Sequence, residues 1–399
     1  MNKFVIIGGG TAGWLTALTV KRYVPYCDVT VIASSEIGIL GADEGVTPHF
    51  NELMSDLDIP MTDIYANAKA TSKKGIKFTN WNGDGTSYFH PFWEEKDAVH
   101  FDASKLAQFL QSTAISRGVK HIDDIVTGIN SKPNGDIESF NLQNHETVQA
   151  NFVFDCSGLH RLIIGKHFNA EWVDYSDSLP CNRALPFFIQ HDDLELPEYT
   201  EAIAMKYGWV WKIPVQGRYG CGYVFDKRYI SDDQAKQEVR ELFGDVEFPR
   251  VFDFKAGAYK TPWVNNCIAI GLSSGFTEPL EATSIWIQIL SLRHYLLQEP
   301  YFVRGNRHVV DSYNEFVGNI NTYMKDFIHA HYLSNRKDSK FWQEFKWKQT
   351  TPHYVTIMKH FKGDLEDIYI NYVNKVNGMK YDSPVVPASW NVILRGTNG

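Results

Sequence analysis

Phe4-Val5-Ile6-Ile7-Gly8-Gly9-Gly10-Thr11-Ala12-Gly13-Trp14 decides the fold. Its four leading apolar residues read as a buried strand. Trp14, Leu15, Leu18 and Arg22 then recur at helical spacing until Pro25 stops the run. Residues 29–32 read as the next strand, so the chain opens with a βαβ unit. Gly8, Gly10 and Gly13 lie between strand and helix, the context that makes G-x-G-x-x-G informative. Glycine lets the backbone turn tightly and approach a pyrophosphate, while the helix start offers aligned N–H donors and the positive dipole end. The spacing predicts a dinucleotide site on Gly8, Gly10, Thr11, Ala12 and Gly13; the competing reading is a glycine turn with no ligand. An acid ordinarily ends the second strand to hold the ribose hydroxyls. Ala33 stands there instead, leaving Ser34, Ser35 or Glu36 as weaker substitutes and loose cofactor binding as the expected consequence.

Around this unit the composition is that of a globular protein. The chain has 399 residues, 44% apolar and 22% charged, enough for one large domain or two intimate ones. Its net charge of -8 and lack of any Lys/Arg block offer no footprint for nucleic acid or an anionic membrane. The longest apolar helical stretch, about residues 285–297, contains Gln288, Arg293 and His294 and is too short to span a bilayer. Five cysteines, an odd number without a Cys-x-x-Cys pair, fit reduced thiols in a cytoplasmic setting. No metal site is expected: His329 and His331 fall on different faces of a helix and read as structural histidines. Further along, Asp102 can cap a helix that Gly118 ends, residues 151–155 read as a buried strand, and residues 166–230 as strand-rich. Ser231 can cap a helix closed by Gly244, and a long helix should begin near Thr283.

Several stretches then resemble the flavin-dependent tryptophan halogenases. Besides the opening glycines, Gly208-Trp209-Val210-Trp211-Lys212-Ile213-Pro214 is similar to their Trp-x-Trp-x-Ile-Pro signature. Gly271-Leu272-Ser273-Ser274-Gly275-Phe276-Thr277-Glu278-Pro279-Leu280-Glu281 resembles another family stretch. The resemblance covers most of residues 3–342 and returns weakly near residues 389–396. It implies a mixed α/β (α+β) fold: a Rossmann-like FAD-binding module of the flavin monooxygenase type, an inserted β-rich substrate module and a helical C-terminal part. The flavin module is expected in residues 1–75, 100–165 and 255–330, and the substrate module in 76–99, 166–254 and 331–399.

The resemblance also implies a chemistry. Reduced FAD, dioxygen and a halide ion yield hypohalous acid, which passes through the interior to a lysine beside the substrate. The matching lysine is taken as Lys77, in Gly75-Ile76-Lys77-Phe78-Thr79-Asn80-Trp81, and the second catalytic group as Glu281. Read without the family, Lys77 is an edge-strand surface residue and Glu281 a helix-start charge. A buried lysine with a lowered pKa would be partly neutral and nucleophilic towards electrophilic halogen. Further flavin contacts are expected from Ser34, from Glu44 in a strap over residues 41–48, from Asp155 and Gly158, and from Gly271. Backbone N–H groups at Thr283 and Ser284 are expected to hold the halide. Ala282 and Ser284 depart there from the usual serine and glycine, which points to a looser site favouring bromide or iodide. Trp209, Trp211 and Pro214 are expected to wall the flavin from the substrate; as bare sequence they read as strand core.

Only 19 residues separate Trp81 from Phe101, where the family carries a longer insertion. The pocket is therefore expected to be open and permissive towards phenols, indoles or anilines. Candidate lining residues are His90, Phe92, Trp93, Trp342, Phe345, Trp347 and Trp390. No nicotinamide motif is visible, so reduced flavin must come from a separate reductase. Monomer and homo-oligomer both stay open. The competing functions are a flavin hydroxylase, which needs neither the lysine nor the tryptophan barrier, and a non-catalytic flavin-binding scaffold, favoured by Ala33.

Overall fold

A computed structural model describes residues 2–38, 43–92, 96–193, 195–303, 305–344, 385 and 387–398. The opening apolar run forms the strand Asn2–Ile7, central in a six-stranded sheet. It pairs in parallel with Cys27–Ala33 on one side and Phe152–Asp155 on the other. Lys120–Asp123 and Cys267–Ala269 extend the sheet in parallel, and Trp263–Val264 closes one edge antiparallel. Strands covered on both faces need continuous apolar runs, and Phe4, Val5, Ile6, Val153, Phe154 and Ile268 are all buried. This is the Rossmann-like core.

The second large sheet has seven strands in the order Phe252–Asp253, Arg183–Gln190, Arg218–Phe225, Gly208–Val215, Thr200–Ala204, Gly75–Thr79 and Ser87–Pro91. All neighbours are antiparallel except Thr200–Ala204 against Gly75–Thr79. A small sheet lies between the two large ones in sequence: Asp43–Gly45, Ala98–Asp102 and Thr71–Lys73. Two long helices, Thr283–Val303 and His308–His331, and a last helix, Pro387–Asn398, form the helical part.

Local chemistry sets the element ends. Asp102 accepts from Lys105 N–H and starts the helix Ala103–Ser116. Ser231 and Gln234 cap Asp232–Phe243 reciprocally, and Gly244 ends it. The short π-helix Leu162–His167 has no sequence signature. The five cysteines are free and buried. Among the described residues, no helix is long and apolar enough to cross a membrane, and no three His, Cys, Asp or Glu side chains form a metal-sized cluster.

Candidate active site

Three contacts explain the opening glycines. A Cβ on Gly8 (φ +117°) would strike the Cys156 carbonyl at 2.2 Å. One on Gly13 would strike the Gly8 carbonyl at 1.9 Å, and one on Gly9 the Ala33 side chain at 2.6 Å. The helix Thr11–Tyr23 therefore starts pressed against the sheet, and its N-cap, Gly10, supplies no side-chain cap. Its first N–H groups have no side-chain acceptor from the cap, and they suit a pyrophosphate. Ala12 lies against Gly271 (φ +68°), where a Cβ would approach it to 2.9 Å. Gly158 (φ +64°) faces open space. Ser34 follows the strand end at Ala33, and its Oγ accepts from Glu36 N–H. Glu44 lies in the small sheet opposite Phe101.

Asp155 differs from its expected role. Its carboxylate accepts from Ser157 N–H and Oγ–H and from the N–H groups of Ile163 and Ile164. Four donors fill a carboxylate's capacity. Asp155 therefore shapes the Cys156–Gly158 loop from within rather than reaching for a cofactor.

The helix Thr283–Val303 begins at its expected residue, and Ala282 just before it adopts a left-handed conformation (φ 56°). A pocket beside this start is lined by Gly271, Ser274, Thr277, Ser284, Gln288 and Asn321, among others. The Ser274 hydroxyl is buried there without a hydrogen-bond partner. A small anion or a polar ring edge in the pocket would satisfy it, so these residues fit both a halide and part of a flavin. Thr283 is buried, with its hydroxyl 3.4 Å from that of Thr277.

Trp209 and Trp211 are both buried, their rings 6.3 Å apart and inclined at 62°. The Trp211 ring presses on Gly222, where an added Cβ would stand 2.1 Å from it. Pro214 accepts through its carbonyl from Thr71 Oγ. Trp209 Nε1 donates to Glu278 at 3.0 Å, and Tyr332 and the Cys181 N–H donate to the same carboxylate. Burial pushes the Glu278 carboxyl up to about 7, against the pull of these donors. Its part in fixing Trp209 was not read from the sequence.

The chemistry-bearing groups come from the small sheet, the seven-stranded sheet and the helical part. Lys73 ends the strand Thr71–Lys73 and is fully buried. Its Nζ donates to the Val46 carbonyl at 3.1 Å and lies 5.2 Å from the centre of the Phe92 ring. Gly45 leaves room beside that amine, since a Cβ there would stand 3.0 Å from Nζ. Burial strips the ammonium of water and pulls it from 10.5 to about 7, against the attraction of Glu281. His100, held between the hydroxyls of Thr71 and Thr200, is buried, and both burial and the nearby Lys73 push it far below its ordinary value.

Glu281 is 5% exposed and held from two sides. His90 Nδ1 lies 3.0 Å from one oxygen, and His331 Nε2 lies 2.7 Å from the other. His90 Nε2 in turn meets Ser389 Oγ at 2.8 Å. Burial raises the Glu281 carboxyl, but the two histidines outweigh it and hold it down to about 2. The structure thus brings Glu281 and His90 together, and sets Phe92 against the Lys73 amine. Trp390 packs its ring on Phe327 beside this group, and its Nε1 donates to Tyr323. Trp342 packs on Trp81 and Tyr332. Trp93, Phe345 and Trp347 lie outside the described residues.

Lys77 is a correction. It was expected in an enclosed passage, yet its side chain is 34% exposed and its Nζ lies 3.3 Å from Glu201, its cross-strand neighbour. Strand alternation is the reason. Phe78 turns inward and packs on the His331 ring at 4.7 Å, so Lys77 must face the other way, away from Glu281. The enclosed amine is that of Lys73. Sequence reading missed it because Thr71-Ser72-Lys73-Lys74 carries no apolar pattern. His331, set aside as structural, belongs to the cluster.

Fold and site together define the class: a flavin-dependent oxidoreductase of the halogenase type, working with FADH2. More narrowly, the chain belongs to the tryptophan halogenase family, which residues 3–97 and 94–372 match. It is 31% identical to the tryptophan 7-halogenase RebH of Lentzea aerocolonigenes over 426 residues, covering 87% of this chain and 79% of that protein. The crystal structure of the tryptophan 6-halogenase SttH from Streptomyces toxytricini superposes with a TM-score of 0.92 at 28% identity, covering 100% of this chain and 91% of the other. BrvH, a flavin-dependent halogenase from Brevundimonas sp. BAL3, superposes with a TM-score of 0.87 at 26% identity, covering 100% and 89%.

Proposed function

We propose that this enzyme halogenates electron-rich aromatic molecules through the amine of Lys73, with Glu281 as its acid–base partner. The observation that carries this reading is the full burial of Lys73 within electrostatic reach of Glu281, with its amine pulled down to about 7. Bound FAD, delivered reduced by a separate reductase, supplies with dioxygen the oxidation of halide to hypohalous acid. The N–H groups at the cradle of Gly8, Gly10 and Gly13 would hold its pyrophosphate. Those at Thr283 and Ser284 would hold the halide.

Lys73 then acts as the halogen carrier. The lone pair of its neutral amine forms an N–halogen bond as the halogen–oxygen bond of the acid breaks, and water leaves with one amine proton. The aromatic carbon next takes the halogen as the nitrogen–halogen bond breaks. The nitrogen keeps that bond's electron pair and takes up one proton, in balance with the ring proton lost next, and so becomes the neutral amine again. Glu281, kept ionised by its two histidines, accepts the ring proton as aromaticity returns. His90 and Phe92, beside that carboxylate and that amine, would orient the substrate ring. Trp209 and Trp211 would screen the flavin, Trp209 being fixed by Glu278. The six-stranded sheet is read as the flavin module and the seven-stranded sheet as the substrate module. Indoles, including tryptophan, phenols and anilines fit the electrophilic chemistry, and bromide or iodide the looser halide site.

Incubating the protein with a flavin reductase, FAD, dioxygen, each halide in turn and a panel of indoles, phenols and anilines tests this. Halogenated products are expected by mass spectrometry, and Glu281→Gln is expected to lower their rate by about 10²-fold or more. Hydroxylated products independent of halide would overturn the reading in favour of a monooxygenase.

A further inference from the structure

His331 is the last residue of the helix His308–His331, and it is wholly buried. Its two ring nitrogens face only acceptors. Nδ1 lies 3.1 Å from the Phe327 carbonyl and 3.2 Å from the Ile328 carbonyl. Carbonyl oxygens accept and never donate, so Nδ1 carries a hydrogen. Nε2 lies 2.7 Å from Glu281 Oε1. With Glu281 ionised, that contact requires a hydrogen on Nε2 as well. The ring then carries both hydrogens and a positive charge, set at the negative end of its helix. Phe78, Trp81 and Phe327 pack against the ring, which leaves Glu281 as its one charged neighbour among the contacts described.

Glu281 has a different set of neighbours. It meets His90 from the strand Ser87–Pro91 and His331 from its helix, and its charge reaches Lys73 and the buried Tyr88 hydroxyl. Lys73 for its part feels Glu281 and the neutral His100. His90 can satisfy Glu281 as a neutral ring, donating from Nδ1 while Nε2 meets Ser389. Only His331 must be charged to satisfy its contacts.

We propose that His331 is the counter-ion of Glu281, a positioning residue that neutralises the carboxylate and so leaves Lys73 without a full counter-charge of its own. A lone buried carboxylate would hold the Lys73 ammonium in place. A carboxylate already paired with an imidazolium holds it weakly, and the amine is free to be neutral when halogen arrives. The inference rests on Lys73 being the halogen carrier, yet its test does not require turnover.

The test uses full-length protein carrying lysine labelled with ¹³C at Cε, with the Lys73 signal assigned by its loss in Lys73→Arg. His331→Gln keeps an N–H towards Glu281 and removes the charge. The Lys73 titration midpoint is expected to rise by about one unit or more in this variant, and the acidic limb of kcat/KM against pH to move upward by the same amount. His331→Arg, which restores a charge, is expected to return both towards the parent. His90→Gln is expected to leave the midpoint in place. A Lys73 midpoint in His331→Gln equal to or below the parent's overturns the proposal, because Glu281 would then have taken up the proton itself. Should His331→Gln fail to fold, ¹⁵N spectra of the histidine-labelled parent decide: both ring nitrogens of His331 are expected to carry hydrogen in the native protein, as their acceptor contacts require, and a ring with one bare nitrogen overturns it. If halogenation instead survives in Lys73→Arg, the carrier role fails while the midpoints still judge the counter-ion.

Discussion

Lys73 and Lys77 sit four positions apart on successive strands, and their amines experience different media. Lys73 ends a short strand of the small sheet, paired with Ala98–Asp102, all five residues of which are buried. Among the described contacts its amine has one carbonyl and one aromatic face, and it feels a carboxylate already engaged by two histidines. Lys77 lies on the seven-stranded sheet between Glu201 and Phe89, which is exposed, and water reaches its amine. The same side chain is therefore a poor ion in one place and an ordinary one in the other. Chemistry that needs a neutral amine follows the desolvation.

The largest effect that could break this comparison is on activity. Lys73→Met is expected to lower halogenation by about 10³-fold or more, as removal of a group that bonds to the reacting atom does. Lys77→Met is expected to keep activity within about threefold of the parent. Rates for both variants, measured with one halide and one arene under a common reductase, check this. A reversal of the two results would return the carrier role to Lys77.

Stability should separate the same pair in the opposite sense. The Lys73 amine falls from 10.5 to about 7 on folding. Between those values the unfolded chain binds a proton that the native state does not, so stability rises with pH across that window. Below about 7 both states are charged and the cost of the buried ammonium is fully present. The shift corresponds to roughly 5 kcal/mol. Loss of the bond to the Val46 carbonyl offsets part of that. Lys73→Met is therefore expected to stabilise the protein by about 2–4 kcal/mol near neutral pH, less as pH approaches 10. Lys77→Met should stay within about 0.5 kcal/mol. Denaturant unfolding at several pH values measures both. A destabilised Lys73→Met would mean that the amine's packing outweighs its desolvation.

How much of this was legible in the sequence follows from which forces are local. The glycine cradle, the caps at Asp102 and Ser231 and the start at Thr283 were readable because turn and capping chemistry acts within a few residues. Glu281, Trp209 and Trp211 were reached through resemblance, and His90 and Phe92 as candidate pocket residues; the structure sets His90 against Glu281 and Phe92 against Lys73. Lys73 was not readable. It is buried because Ala98–Asp102 and the strap residue Val46, both distant in sequence, close over a polar stretch. The alternation that buries Ile76 and Phe78 did place Lys77 on the opposite face. What it could not say was that the Glu281 cluster lies on the Phe78 side, since that depends on His331, more than 250 residues away. Asp155 was misassigned because an acid at a strand end caps its own loop as readily as it holds a ligand.

The smallest expected effect concerns the Lys77–Glu201 pair itself. At 3.3 Å and partly open to water, it gains little over two solvated ions, and salt screens what it gains. Glu201 also accepts from Thr79 at 2.6 Å, so it keeps a partner when Lys77 is gone. A double-mutant cycle over Lys77→Met and Glu201→Gln is expected to give a coupling of about 0.2–1 kcal/mol at low salt, fading towards zero near 1 M. A coupling well above that, insensitive to salt, would mean that the pair is shielded from water. The contrast between the two lysines would then rest on geometry alone and not on the medium around them.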